Sequence, residues 1–223
     1  MFEQEIEMEK KESSIVPLLL IVTLIVAVVG VALYFVAESR KVLTTAEAAP
    51  VILASIENQG PPTLRFATGS LTAGGHEDPH DPHYRLLDKA GYLKIGKPVK
   101  DKTPVALTPE GEAFLADVAG VKKSKNKDGN DEYAVPLAQR KLVEIGKITM
   151  LNPNKAMVEY TWKWEPNKAG DLFDASGPAV KAFNTWERSN LIEKRGANFY
   201  HDAPTKVVVG VSRGSKGWQI ANE

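Results

Sequence analysis

The chain contains no cysteine. Disulfides, cysteine nucleophiles, thiolate metal sites, thioether-linked haem and a lipoprotein acyl anchor are all excluded. It also lacks net charge. The 28 basic and 28 acidic side chains cancel, which argues against a general polyanion binder while leaving room for a local patch. There is no phosphate loop, no Gly-x-Ser-x-Gly, no His-Glu-x-x-His and no dinucleotide fingerprint. No cofactor is therefore expected, and the expected role is non-enzymatic.

Against these absences stands one long apolar run, Ile15 to Ala37, with no charged residue and only Thr23 and the Tyr34 hydroxyl as polar groups. At ~1.5 Å per residue it makes roughly 34 Å of helix, enough for the ~30 Å hydrocarbon core of a bilayer. It has no polar face, unlike the core helix of a soluble domain. The expectation is a transmembrane helix over 15–37 that anchors a folded part to a membrane. Residues 1–14 form an acidic tail (Glu3, Glu5, Glu7, Glu9, Glu12) relieved only by Lys10 and Lys11. That n-region, and an apolar run longer than a typical h-region, point to an uncleaved anchor rather than a signal peptide. Lys10 and Lys11 on one flank balance Arg40 and Lys41 on the other, so the positive-inside count is a tie. The signal-anchor arrangement is then the default, with the tail in the cytoplasm and the domain outside.

Within the run, Thr23, Ala27, Gly30 and Tyr34 are spaced i, i+4, i+7, i+11 and share one helix face. Three of them are small. Small residues let membrane helices approach closely, although they are also common in any membrane helix. This face is the candidate helix–helix interface, and the expected partners are integral membrane protein subunits and the lipid bilayer.

After the anchor, Thr44 and Glu47 have capping-box spacing. Ala49, Ile52, Leu53 and Ile56 predict a helical stripe ending near Gly60, with Pro50 taken as close to its start. Leu64 to Leu71 predict a strand. The polar loop GGHEDPHDPH, residues 74–83, holds His76, His80 and His83 interleaved with Glu77, Asp78 and Asp81. Imidazole and carboxylate together suit zinc, copper or nickel. The H-x3-H-x2-H spacing matches no standard zinc signature, and the plainer reading is a solvated loop in which Asp81-Pro82 opens the next helix.

From Pro82 the spacing predicts a helix to Ala90, a strand 92–96, a strand 104–108 and a helix 109–118. Leu86, Leu87, Ala90, Gly91, Tyr92, Leu93, Leu107, Thr108, Pro109, Glu110 and Gly111 carry a pattern in which a helix closes with LL..AGYL and LTPEG opens the next. This stretch, 82–118, resembles the helix–wing–helix end of a winged-helix domain. The resemblance implies a DNA-binding or protein-binding module. A DNA reader needs a basic recognition helix. Here Arg85 and Lys89 face Asp88, and Lys94, Lys97, Lys100 and Lys102 of the wing face Asp101, so nucleic acid is not an expected partner.

Residues 121–136 predict a hairpin turning at Asp128-Gly129, its lysines 122, 123, 125 and 127 offset by Asp128, Asp131 and Glu132. Leu142 to Leu151 predict a strand with a bulge at Gly146. Met157 to Glu165 alternate, with Val158, Tyr160, Trp162 and Trp164 on one face and Glu159, Thr161, Lys163 and Glu165 on the other. The aromatic face is expected to lie under a helix from 45–58 or 171–194, the rival being an exposed stacking platform. Residues 171–175 read as a helical turn, 179–194 favour neither period, and 207–211 with 218–220 predict a last hairpin. Asp171, Asp174, Glu187, His201 and Asp202 are the remaining acid–base candidates.

The expected fold class is α+β: a single transmembrane helix, a winged-helix-like unit over about 44–140, and an antiparallel sheet unit over 141–223. The expected function is a single-pass, membrane-anchored accessory or structural subunit of a larger membrane complex. The first alternative is a membrane-tethered regulator that binds DNA or a signalling partner. The second is a metal-binding or enzymatic domain built on His76, His80 and His83.

Overall fold

The computed structural model describes residues 15–39, 42–74 and 77–221. Chain elements run α1 (Ile15–Ser39), α2 (Thr45–Asn58), β1 (Thr63–Thr72), α3 (Pro82–Lys89), β2 (Leu93–Ile95), β3 (Lys102–Leu107), α4 (Pro109–Asp117), β4 (Lys122–Lys125), β5 (Asp131–Pro136), β6 (Ala138–Asn152), β7 (Lys155–Pro166), α5 (Lys168–Leu172), α6 (Pro178–Lys181), α7 (Thr185–Lys194), β8 (Thr205–Gly214) and β9 (Gly217–Ile220). The strands form two antiparallel sheets, so the α+β class holds. One is ordered β2-β3-β1-β5-β4 and the other is the meander β6-β7-β8-β9. The acidic tail over 1–14 lies outside the described residues.

Local chemistry starts and stops these elements. Thr44 caps α2 through a capping box with Glu47, satisfying backbone donors that a helix start leaves open. Pro50 falls inside α2 rather than at its start. The buried stripe of α2 is Ala48, Ile52 and Ile56, while Leu53 is exposed, so the helix is rotated from the expected Ala49/Leu53 face. At the head of α4, Gly111 N–H donates to Thr108 Oγ1 and Thr108 Oγ1 donates to the Gly91 carbonyl. A Cβ on Gly111 would lie 2.0 Å from the Tyr92 carbonyl oxygen. Glycine is required there because helix and preceding turn meet backbone to backbone.

β1 is the hinge of the first sheet. Its first six residues pair with β5 and its last four with β3. The switch falls at Gly69, whose φ of 124° is in the left-handed half of the map and whose missing Cβ makes room for Asn130. Asn130 Oδ1 accepts from Ser70 N–H and its Nδ2 donates to the Ser70 carbonyl, which pins the crossing point. In the second sheet, β6 and β7 slip register between Ile145 and Ile148, as a bulge at Gly146 requires.

Two cores result, and the chain crosses between them. One joins the first sheet to α3 and α4, and to Phe173, Val180, Phe183, Leu191 and Tyr200 from the segment between β7 and β8. The other joins α2 to the inner face of the second sheet, with Leu43, Ile52, Ile56, Val158, Tyr160 and Val211 buried. Each sheet thus takes cover from the other's part of the sequence, the first in addition to its own α3 and α4. The 140/141 division falls inside β6. Residues 179–194, without a clear period in the sequence, hold the end of α6 and all of α7 with a break over 182–184, and α7 buries only Leu191 of its ten residues.

Trp162 and Trp164 sit where the two cores meet. They are half-buried, edge to face at 4.9 Å, Trp162 packing on the second core and Trp164 on the first. Val158, Tyr160 and Trp162 share the core of α2, one of the two expected helical covers, and a guanidinium and a phenol also lie against the tryptophan pair. Arg140 lies 5.2 Å and 4.5 Å from the two ring centroids, and Tyr200 meets Trp164 at 5.6 Å.

Candidate functional site

The apolar helix α1 is the first candidate. Every residue from Leu18 to Val36 is exposed, the inverse of what a protein does with its apolar residues in water. By length and composition this single N-terminal helix is compatible with a membrane anchor or a signal sequence. On the predicted contact face, Thr23 Oγ1 donates to the Leu19 carbonyl at 2.8 Å, so its polar group is satisfied within the helix. Nothing lies within 4 Å of where a Gly30 Cβ would stand, and Tyr34 is exposed. The helix therefore presents Thr23, Ala27, Gly30 and Tyr34 unencumbered by the rest of the described chain.

The second candidate is the histidine loop, and the structure divides its members. His76 lies outside the described residues. His80 is exposed, its N–H donating to Asp78 Oδ1. His83, the second residue of α3, is completely buried. Among the described residues, no three metal-donor groups come together.

What gathers instead is a buried polar network around His83. Its Nε2 is 3.7 Å from Glu77 Oε2, an electrostatic contact longer than a hydrogen bond. Tyr84 accepts from the Ala67 N–H at 2.7 Å. Its hydroxyl lies 3.0 Å from Glu77 Oε2 and 3.3 Å from the Ala67 carbonyl. Arg195, just past α7, pairs with Asp81 and stands 3.6 Å from Glu77 Oε1. Asp81 occupies the cap position of α3 without capping it; its carboxylate serves Arg195 instead.

Burial sets the charges here. Desolvation pushes the His83 pKa below the usual imidazole value and outweighs the opposing pull of Glu77. Burial alone would raise the Glu77 pKa, but His83, Tyr84 and the Arg195 charge together bring it below the usual carboxylate range. The Tyr84 hydroxyl is pushed up by burial. The network holds a neutral imidazole, an ionised carboxylate and a fixed guanidinium, and it ties loop 77–83 to the end of α7. A polar cavity lined by Thr63, Arg65, Glu77, Lys194 and Arg195 opens beside it. Sequence reasoning pointed to the loop but missed Arg195, which lies more than a hundred residues downstream with no local signal.

Of the remaining acid–base candidates, Asp202 is exposed on the surface and the others hold structural contacts. Asp174 is buried and accepts from Ser176 N–H and Oγ–H and from the N–H groups of Tyr200 and His201. Burial raises its pKa, and those bonds turn the net shift downward. Glu187 closes the capping box of α7 and pairs with Arg85. Asp171 and His201 meet at 3.0 Å on the surface.

No protein-family model, curated protein or solved structure matches this chain.

Proposed function

We propose that the chain is a single-pass membrane-anchored accessory or structural subunit of a larger membrane protein complex, with a non-enzymatic role and its folded part on the extracytoplasmic side. The observation that carries this reading is α1, whose residues from Leu18 to Val36 are all apolar or weakly polar and all exposed. A lone exposed helix of this kind is satisfied only by lipid or by other membrane helices. Its small-residue face supplies the means of association with integral membrane subunits, because Gly30 leaves room for a neighbouring backbone.

The test separates anchoring from association. The full chain is expected to stay with membranes through alkaline carbonate extraction. Gly30→Leu keeps the helix apolar but fills the gap, so it is expected to remain inserted and to lose co-purifying membrane subunits in mild detergent. Release of the wild type by carbonate would refute the anchor. Unchanged co-purification after Gly30→Leu would refute the helix–helix interface.

A second reading, a membrane-tethered regulator binding DNA or a signalling partner, draws on the helix–hairpin–helix order of α3, β2, β3 and α4. It requires the folded part in the cytoplasm, and protease protection in sealed vesicles separates it from the first.

A further inference from the structure

We infer that the end of the second sheet nearest the anchor docks on anionic lipid headgroups through Lys155 and Lys216, with Leu151 and Val42 entering the interface. This inference rests on the membrane-anchor reading above and names the surface by which the folded part meets the bilayer.

Connectivity fixes which end faces the membrane. Helix α1 ends at Ser39 and Leu43 is already part of the second core, 2% exposed, with its N–H against Met150 Sδ at 3.5 Å. Four residue steps span at most about 14 Å. The headgroup zone beyond the hydrocarbon is itself roughly 5–8 Å deep on each side. The tip of the β6–β7 hairpin, next to Met150, therefore lies at or within a few ångström of the headgroups.

The β8–β9 turn shares that end. Lys155 pairs with Ser212 across the sheet, and Arg213 N–H donates to the Asn154 carbonyl at 2.8 Å. Gly214 to Gly217 close the turn just beyond. The first turn of α2 is there too, since Ala46, Glu47 and Pro50 line one groove with Lys216 and Trp218.

The chemistry of this end matches an anionic interface. Across residues 42–50, 149–157 and 210–221 there are three cations, Lys155, Arg213 and Lys216, and one carboxylate, Glu47. Glu47 is engaged in the α2 cap, accepting from Thr44 N–H and Oγ–H. Lys155 and Lys216 are exposed. At the same end, Leu151 is 61% and Val42 62% exposed, where water gives a large apolar side chain nothing. Basic groups flanking exposed aliphatic ones are what the headgroup–acyl boundary accepts. Each lysine close to an anionic surface strengthens attachment by about five-fold at low salt.

The absence of cysteine makes the test direct. The full chain is reconstituted with a nitroxide on Leu151→Cys, or on Glu165→Cys, about 33 Å beyond Lys155 along β7, in vesicles of phosphatidylcholine alone or mixed with phosphatidylglycerol. Depth is read from the relative access of oxygen and a polar nickel complex. Expected is a position-151 label at headgroup depth in the anionic vesicles, shallower in the zwitterionic ones and in the Lys155→Glu/Lys216→Glu variant, with the position-165 label aqueous throughout. A position-151 label as aqueous as that at 165 in both membranes, in protein that resists carbonate extraction, would overturn the docking and leave the anchor standing. Equal immersion in both membranes would overturn the assignment to anionic headgroups. Release by carbonate would overturn the anchor reading and the docking with it.

Discussion

His83 is buried with neither ring nitrogen hydrogen-bonded within the described chain, and its charge is decided by what surrounds it. Glu77 and Asp81 favour the imidazolium, while Arg195 and the loss of water oppose it and win. The folded-state pKa thus lies below the unfolded value of about 6.5. Below that pH the unfolded chain binds more protons than the folded one, so stability is lost as pH falls from about 6.5 towards the folded pKa and is flat above. Urea midpoints of the wild type should fall through this window, and those of His83→Gln should fall less; parallel curves would exclude His83 as the cause. Trp162 poses a packing question at the same scale. It joins the two cores beneath Arg140, so Trp162→Ala should cost about 3 kcal/mol, near the lower bound for deleting a buried aromatic. Lys163, its exposed neighbour on the opposite face, should cost under about 0.5 kcal/mol on truncation. Near-wild-type stability of Trp162→Ala, with red-shifted and readily quenched tryptophan emission in the wild type, would instead mark an exposed aromatic surface.

At the scale of elements, what could be read from the sequence was whatever is set by near neighbours. The Thr44–Glu47 box, the alternation from Val158 to Trp164 and the Thr108-Pro109 helix start each depend on residues within a few positions, and all are present. What could not be read is what tertiary packing decides. The period of α7 is blurred because Arg85, Asp81 and Glu77 engage its polar residues and flank, leaving Leu191 as its sole buried side chain. The rotation of α2 onto Ala48 follows from the sheet it meets, which begins only at Ala138, far along the chain. The candidate site was legible in the same proportion. The candidate contact face on α1 rests on helical spacing alone. The partner of loop 77–83 is Arg195, which no local pattern announces. The basic end of the second sheet is assembled from two hairpin turns that only the fold brings together.

For the whole molecule, the exchange of helices between sheets governs how it can be divided. Sequence spacing places a natural-looking division near residue 140, where one sheet gives way to the other. The core of the first sheet, however, includes Phe173, Val180, Phe183, Leu191 and Tyr200, five large side chains supplied from beyond that point. The second sheet in turn takes Leu43, Ile52 and Ile56 from before it. A fragment spanning 44–140 would expose the underside of its own sheet and carry α2 with nothing to cover. At roughly 1.5–3 kcal/mol each, those five buried groups amount to about 7–15 kcal/mol, as much as the whole 5–15 kcal/mol by which most domains are stable. The fragment 44–140 and the fragment 141–223 are therefore each expected to be unfolded alone, with poorly dispersed amide resonances. The joined part, 42–221, should unfold in one transition in urea, with far-ultraviolet dichroism and tryptophan emission changing together. Mixing the two fragments should restore dispersion, since the missing helices are then available in trans. A fragment 44–140 that folds cooperatively by itself, or two separate transitions in the joined part, would show that the cores are independent and that the crossed helices are peripheral to both.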